Sequence, residues 1–193
     1  MNAPAVELAD ITKSFGRLVA NDGVHLRVEA GSIHALVGEN GAGKTTLMKI
    51  LFGLYQPDRG TIRLDGEAVR LRSPADALVR GLGMVHQHFM LVRPFTVAEN
   101  LTLAHETTRG PFLDRRRAAR DVRELSERYG LVVDPDARVE NLSVGQEQRV
   151  EILKALYHGA KTLILDEPTA VLTRRRPRTC SACCARSRRR ARP

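Results

Sequence analysis

The chain has 193 residues, 42% of them hydrophobic, which suffices for one domain with a substantial core. No apolar run approaches the length of a membrane span, and Met1-Asn2-Ala3-Pro4 lacks the basic-then-apolar layout of a secretory signal, so a soluble cytoplasmic chain is expected. The formal charge of +9 suggests nucleic acid at first, but nine of the 31 basic residues and none of the 22 acidic ones fall in residues 174–193, which leaves 22 of each sign elsewhere. All three cysteines, Cys180, Cys183 and Cys184, lie in that same tail.

Residues 6–11 alternate apolar and polar and predict a half-buried strand. Residues 13–16 follow as a turn, and residues 24–28 alternate again. These strands are expected to form an antiparallel layer at the edge of a phosphate-binding sheet. Phe15 has two readings at this level, a ring that stacks on a base or a core ring. Residues 32–37 read as a buried strand and residues 46–52 as a helix. Beyond a turn at 57–60, residues 61–64 and 68–71 flank Asp65-Gly66 as a hairpin. Ser73 and Pro74 start a short helix as cap and first-turn proline. Residues 83–86 predict a strand ending at Gln87.

From residue 88 the character changes to that of a helical insert, running to about residue 158. A short helix at 96–103 has Glu99 placed to complete a capping box with Thr96. Residues 114–129 predict a long charged helix ending at Gly130, with Arg115-Arg116-Arg117 on a solvated face. Ser143 caps a helix over 145–158, with apolar positions 150, 153, 156 and 157 at helical spacing. Residues 161–165 form an apolar strand that ends in Asp166-Glu167-Pro168.

Two stretches carry chemistry. Gly38-Glu39-Asn40-Gly41-Ala42-Gly43-Lys44-Thr45-Thr46 fits the phosphate-loop pattern, between a predicted strand and a predicted helix. Its glycines let successive amides point inward at phosphate oxygens, Lys44 reaches them as a point charge, and the Thr45 hydroxyl can ligate Mg²⁺. The second is the carboxylate pair at the end of strand 161–165, where α/β sheets place ligand chemistry. Asp166 is read as the Mg²⁺ holder and Glu167 as the general base that polarises water.

Together these residues resemble the ATP-binding cassette of ABC transporters, over residues 5–173. The strongest part is Leu142-Ser143-Val144-Gly145-Gln146, similar to the family signature with Val144 in place of a small residue. Gln87 resembles the Q-loop glutamine, a Mg²⁺ contact. Phe15 falls where the family places its adenine-stacking aromatic, and residues 170–173 look like a D-loop. Residues 84–91 and 143–156 are similar to importers of simple sugars and nucleosides. The resemblance implies an α/β phosphate-loop NTPase fold with an antiparallel β layer and a helical insert, incomplete at its C-terminus. It also implies ATP and Mg²⁺ as cofactors and a second cassette paired head to tail, with ATP between one phosphate loop and the other's signature. Transmembrane permease subunits and a periplasmic or lipoprotein substrate-binding protein are the further implied partners, and the cytoplasmic face of the membrane the implied location. No specific nucleic-acid partner is expected.

Two departures are visible. The family carries a switch histidine past the acidic strand, and no histidine follows His158 here. The sugar and nucleoside branch also carries two cassettes in about five hundred residues, and this chain has one. Its Arg- and Cys-rich tail predicts disorder. One choice of GC-rich codons for residues 179–187, read in another frame, encodes a family-like helix, so a frameshift just after Thr173 is the expectation. Nucleotide binding with weak or absent turnover follows from these departures. Competing readings remain: a soluble cassette acting on nucleic acid or ribosomes, supported only by the basic tail, and a remnant that does not fold stably.

Overall fold

A computed structural model describes residues 3–86, 89–103, 108–109 and 112–166. Chain contacts divide it into two compact units, the first ending at Leu82 and the second beginning at Gly83.

The first unit is built on a four-stranded sheet in the order β2-β1-β3-β4, every pair antiparallel. β1 (Val6–Phe15) and β2 (Leu18–Val28) form a hairpin through Gly16-Arg17, with Phe15 opposite Leu18. The turn is thus shorter than the expected 13–16. A two-residue loop with Gly16 at φ 61° matches strand twist, so pairing runs on through Phe15. Val6, Leu8 and Ile11 are buried. Asp10, at φ 55°, is the extra residue that lets Ile11 rather than Asp10 point inward.

β3 (Arg59–Leu64) and β4 (Glu67–Val69) close the sheet through Asp65-Gly66, both at positive φ (50° and 87°), as a two-residue hairpin requires. Arg59 and Gly60, expected in a turn, belong to β3. α1 (Lys44–Leu51) buries Leu47, Ile50 and Leu51. α2 (Pro74–Val79) starts as its sequence dictates, the Asp76 amide donating to Ser73 Oγ at 3.2 Å.

One predicted strand is not there. Residues 32–37 carry no strand, and all of residues 31–40 are exposed, Val37 to 89% and Ile33 to 66%. A strand of a buried sheet forms when ladders flank it on both sides. Among the described residues nothing pairs with this run.

β5 (Leu82–Val85), all but its first residue in the second unit, pairs with the last described strand, Thr162–Leu165. α3 (Val97–Thr102) opens with the expected capping box, the Thr96 amide donating to Glu99 at 2.9 Å and the Glu99 amide to Thr96 Oγ1 at 3.2 Å. Two short strands follow, β6 (Thr108–Arg109) and β7 (Phe112–Leu113), which makes the last strand β8. α4 (Arg115–Tyr129) is capped by Asp114 and ends at Gly130, φ 68°. α5 (Val144–Tyr157) buries Val150, Leu153 and Leu156 among the expected apolar positions. α3, α4 and α5 share one core with Val85, centred on Val97, Leu101, Val122, Val150 and Leu153. At about 1.5–3 kcal/mol per fully buried aliphatic side chain, this core holds the helical insert together. Among the described residues no helix is long and apolar enough to cross a membrane.

Candidate nucleotide site

The phosphate loop enters α1 without a preceding strand. Gly41 and Gly43 adopt φ 85° and 80°, conformations in which a side chain is strained, and the Ala42 amide donates to the Glu39 carbonyl at 3.2 Å. Gly43 is the N-cap of α1, in the left-handed conformation. Helix geometry leaves the amides of the first turn, from Lys44 on, without carbonyls of their own helix. Lys44 Nζ folds back over the loop and donates to the carbonyls of Gly38 and Glu39, both at 2.7 Å. An arriving phosphate offers that ammonium a full negative charge in place of two carbonyl dipoles, a stronger partner. Within the expected set 38–46 the Lys44 ammonium is thus held by two loop carbonyls, beside the N-terminus of α1. Thr45 and Thr46 lie in the first turn of α1.

Phe15 is not a core ring; it is 41% exposed at the end of β1. It rests edge-to-face on Tyr55, centroids 5.3 Å apart, with Lys13 Nζ 5.6 Å from its own centroid. Asp58 fixes this end of the strand. Its carboxylate accepts from Lys13 Nζ at 2.8 Å and from the Ser14 amide at 2.7 Å, and these bonds hold its pKa below the ordinary value. Tyr55 and Asp58 support Phe15 and were not singled out from sequence. The only signal was that residues 57–60 sit where a turn returns to the sheet.

In the second unit, Ser143 stands at the N-terminus of α5 as expected. Its amide donates to Gln146 Oε1 at 2.9 Å and its hydroxyl to the same oxygen at 2.8 Å. Leu142 precedes it, just past the short 3₁₀ turn Val139–Asn141, Val144 is exposed, and a Cβ on Gly145 would meet nothing within 4 Å. Asp166 sits at the end of β8, its amide donating to the Val85 carbonyl at 3.1 Å. Gln87, Glu167 and residues 170–193 lie outside the described residues.

α5 also grips the segment that follows Gln87 and His88. Glu151 accepts from the Met90 amide at 2.8 Å, and Lys154, one turn on, donates to the Met90 carbonyl at 3.0 Å. Glu151 is buried, and burial raises its pKa against the opposing effects of Lys154 and the Met90 amide. Asn100 holds Val92 in the same way, at 2.7 and 3.0 Å. Neither residue stood out in the sequence, because each partner is a backbone group on another segment.

The sequence profile of the ABC transporter family matches residues 21–170. The chain belongs to the ABC transporter family. This ABC cassette is 57% identical over 168 residues to the guanosine import ATP-binding protein NupO of Bacillus subtilis, covering 87% of this chain and 33% of that one. It is 56% identical over 172 residues to the nucleoside import ATP-binding protein NupA of Lactococcus lactis, covering 89% and 34%. The cassette thus spans about a third of the length of these curated relatives. Among solved structures, the ADP conformation of the ATP-binding cassette MJ1267 shares its fold, with a TM-score of 0.77, 24% identity, and coverage of 96% of this chain and 76% of that one. The dimeric structure of the bacterial ABC transporter cassette MJ0796 gives a TM-score of 0.73 at 26% identity, covering 92% and 79%.

Proposed function

We propose that this ABC cassette binds ATP with Mg²⁺ and hydrolyses it, as the ATPase subunit of an importer for nucleosides or simple sugars. The observation that carries the reading is Lys44 held over a glycine-rich loop at the start of a helix. The loop amides and Lys44 take the phosphates, and Phe15, exposed on its Tyr55 support, takes the base. In this reading Thr45, Gln87 and Asp166 would supply oxygen ligands to Mg²⁺, which would neutralise phosphate charge. Glu167 accepts the proton of the attacking water.

The signature residues serve the partner's nucleotide. Among the described residues a Cβ on Gly145 would meet nothing within 4 Å, and the reading assigns its glycine to close approach by an outside group. The partners in this reading are a second cassette, permease subunits and a substrate-binding protein, with the cassette on the cytoplasmic membrane face. Nucleoside or sugar cargo is supported by the names of the relatives. No specific nucleic-acid partner is part of the reading.

Calorimetry with Mg-ATP tests it. The purified chain is expected to bind, and Lys44→Ala to weaken binding by roughly ten- to a hundredfold, the range of a charge-assisted hydrogen bond. Equal affinities would overturn the phosphate-loop assignment. Turnover as fast as that of a full-length relative would remove the expectation of weak activity.

A further inference from the structure

The one buried residue of β2 is polar. Leu18, Val19, Asp22, Gly23, His25 and Arg27 are exposed, Ala20 and the apolar positions beyond are half-buried, and Asn21 is 6% exposed. Two irregularities in the β1–β2 ladder bracket it. From the pair Ile11–Val24 to Lys13–Asn21, β2 advances three residues for two of β1; from there to Ser14–Val19 it advances two for one. Bulges re-aim side chains, and this pair isolates Asn21 from the regular alternation.

Its side chain meets the phosphate loop. Asn21 Nδ2 donates to the Gly43 carbonyl at 3.3 Å. The same carbonyl accepts the first helical bond of α1, from the Leu47 amide at 2.9 Å. The backbone approaches as closely, since a Cβ on Gly43 would lie 2.1 Å from the Ala20 carbonyl oxygen and 2.7 Å from Asn21 Nδ2. Turning the amide over would set two carbonyl oxygens against each other, so the Nδ2 assignment stands. Asn21 Oδ1 is then buried with no hydrogen-bond partner among the described residues. A polar residue with an unsatisfied oxygen is a poor choice for packing alone, where an apolar side chain of the same size avoids the penalty.

We infer that Asn21 is a positioning residue for the phosphate loop. In a trans peptide the carbonyl and the following amide point in opposite directions. Holding the Gly43 carbonyl toward β2 therefore aims the Lys44 amide away from β2, to the side on which the proposed site takes phosphate. The inference rests on the proposed nucleotide site and adds a residue of the antiparallel layer to it.

Asn21→Leu separates this role from packing. It keeps the branched heavy-atom skeleton at a somewhat larger volume, removes the orphaned oxygen and deletes the bond to Gly43. The expected result is a Tm at or above that of the wild type, with Mg-ATP binding weakened roughly three- to tenfold, about one hydrogen bond. Asn21→Asp, with a carboxylate against the Gly43 carbonyl and beneath the phosphates, is expected to bind more weakly still. Exchange of the Lys44 amide, followed by NMR in the nucleotide-free chain, is expected to change in Asn21→Leu. Wild-type affinity together with unchanged Lys44 exchange in Asn21→Leu would overturn the inference. If the wild-type chain fails to bind Mg-ATP, the nucleotide reading falls, and Lys44 exchange still decides whether Asn21 orients the loop.

Discussion

Residues 6–11, 24–28, 61–64 and 68–71 on one side and residues 32–37 on the other all read as strands, and of these two groups only the first forms ladders. The hairpins are self-contained. Gly16-Arg17 and Asp65-Gly66 return the chain onto itself after two residues, so each strand meets its ladder partner locally. Alternation then decides which face is buried. Residues 32–37 follow a turn as well, the Ser32 amide donating to the Glu29 carbonyl at 3.2 Å with Gly31 at φ 67°, yet no ladder forms across it among the described residues, and Ile33, Leu36 and Val37 stand exposed. β propensity describes how a side chain fits a pleated surface, and it does not create the surface.

The contrast can be broken by mutation. Leu8→Ala, in the middle of the formed sheet, is expected to destabilise the first unit by about 2–5 kcal/mol, read from denaturant melts. Gly66→Val forces a β-branched residue to φ 87° in the β3–β4 turn and is expected to lose about 1–2 kcal/mol, because the hairpin depends on its local turn.

Glu151 extends the comparison to a bond across 61 residues of sequence. Burial raises its native pKa above the unfolded value, so between those two values the native state binds more protons than the unfolded chain. Its contribution to stability therefore falls as pH rises through that window. Glu151→Gln keeps an acceptor for the Met90 amide without the titration. Its Tm is expected to vary less with pH from acid to neutral, and a profile parallel to the wild type's would refute the assignment.

The smallest effect is expected at the run that does not pair. Val37→Ser should change stability by no more than about 0.5 kcal/mol. A loss matching that of Leu8→Ala would mean that residues 32–37 are a buried strand in solution, and the contrast would collapse.

Legibility of the site follows the same division. The phosphate loop was readable because its chemistry is consecutive: glycines, a lysine and a threonine act through backbone and side chain within nine residues. The caps at Ser73 and Thr96 were readable for the same reason, each accepting from an amide three residues on. Phe15 could be read two ways until its exposure on Tyr55 was known. Asn21, Asp58, Asn100 and Glu151 were silent, since each bonds a segment that sequence spacing does not bring near.

Local physical chemistry sufficed for the Asp65-Gly66 hairpin turn, the helix starts at Ser73 and Thr96 and the family likeness, because each depends on residues within one or two turns of chain. Tertiary structure decided which apolar run found a ladder, which aromatic stayed exposed and which buried polar side chain reached Gly43. Those outcomes depend on partners brought together by folding, and burial makes an unmatched polar group expensive enough that its partner, or the lack of one, matters.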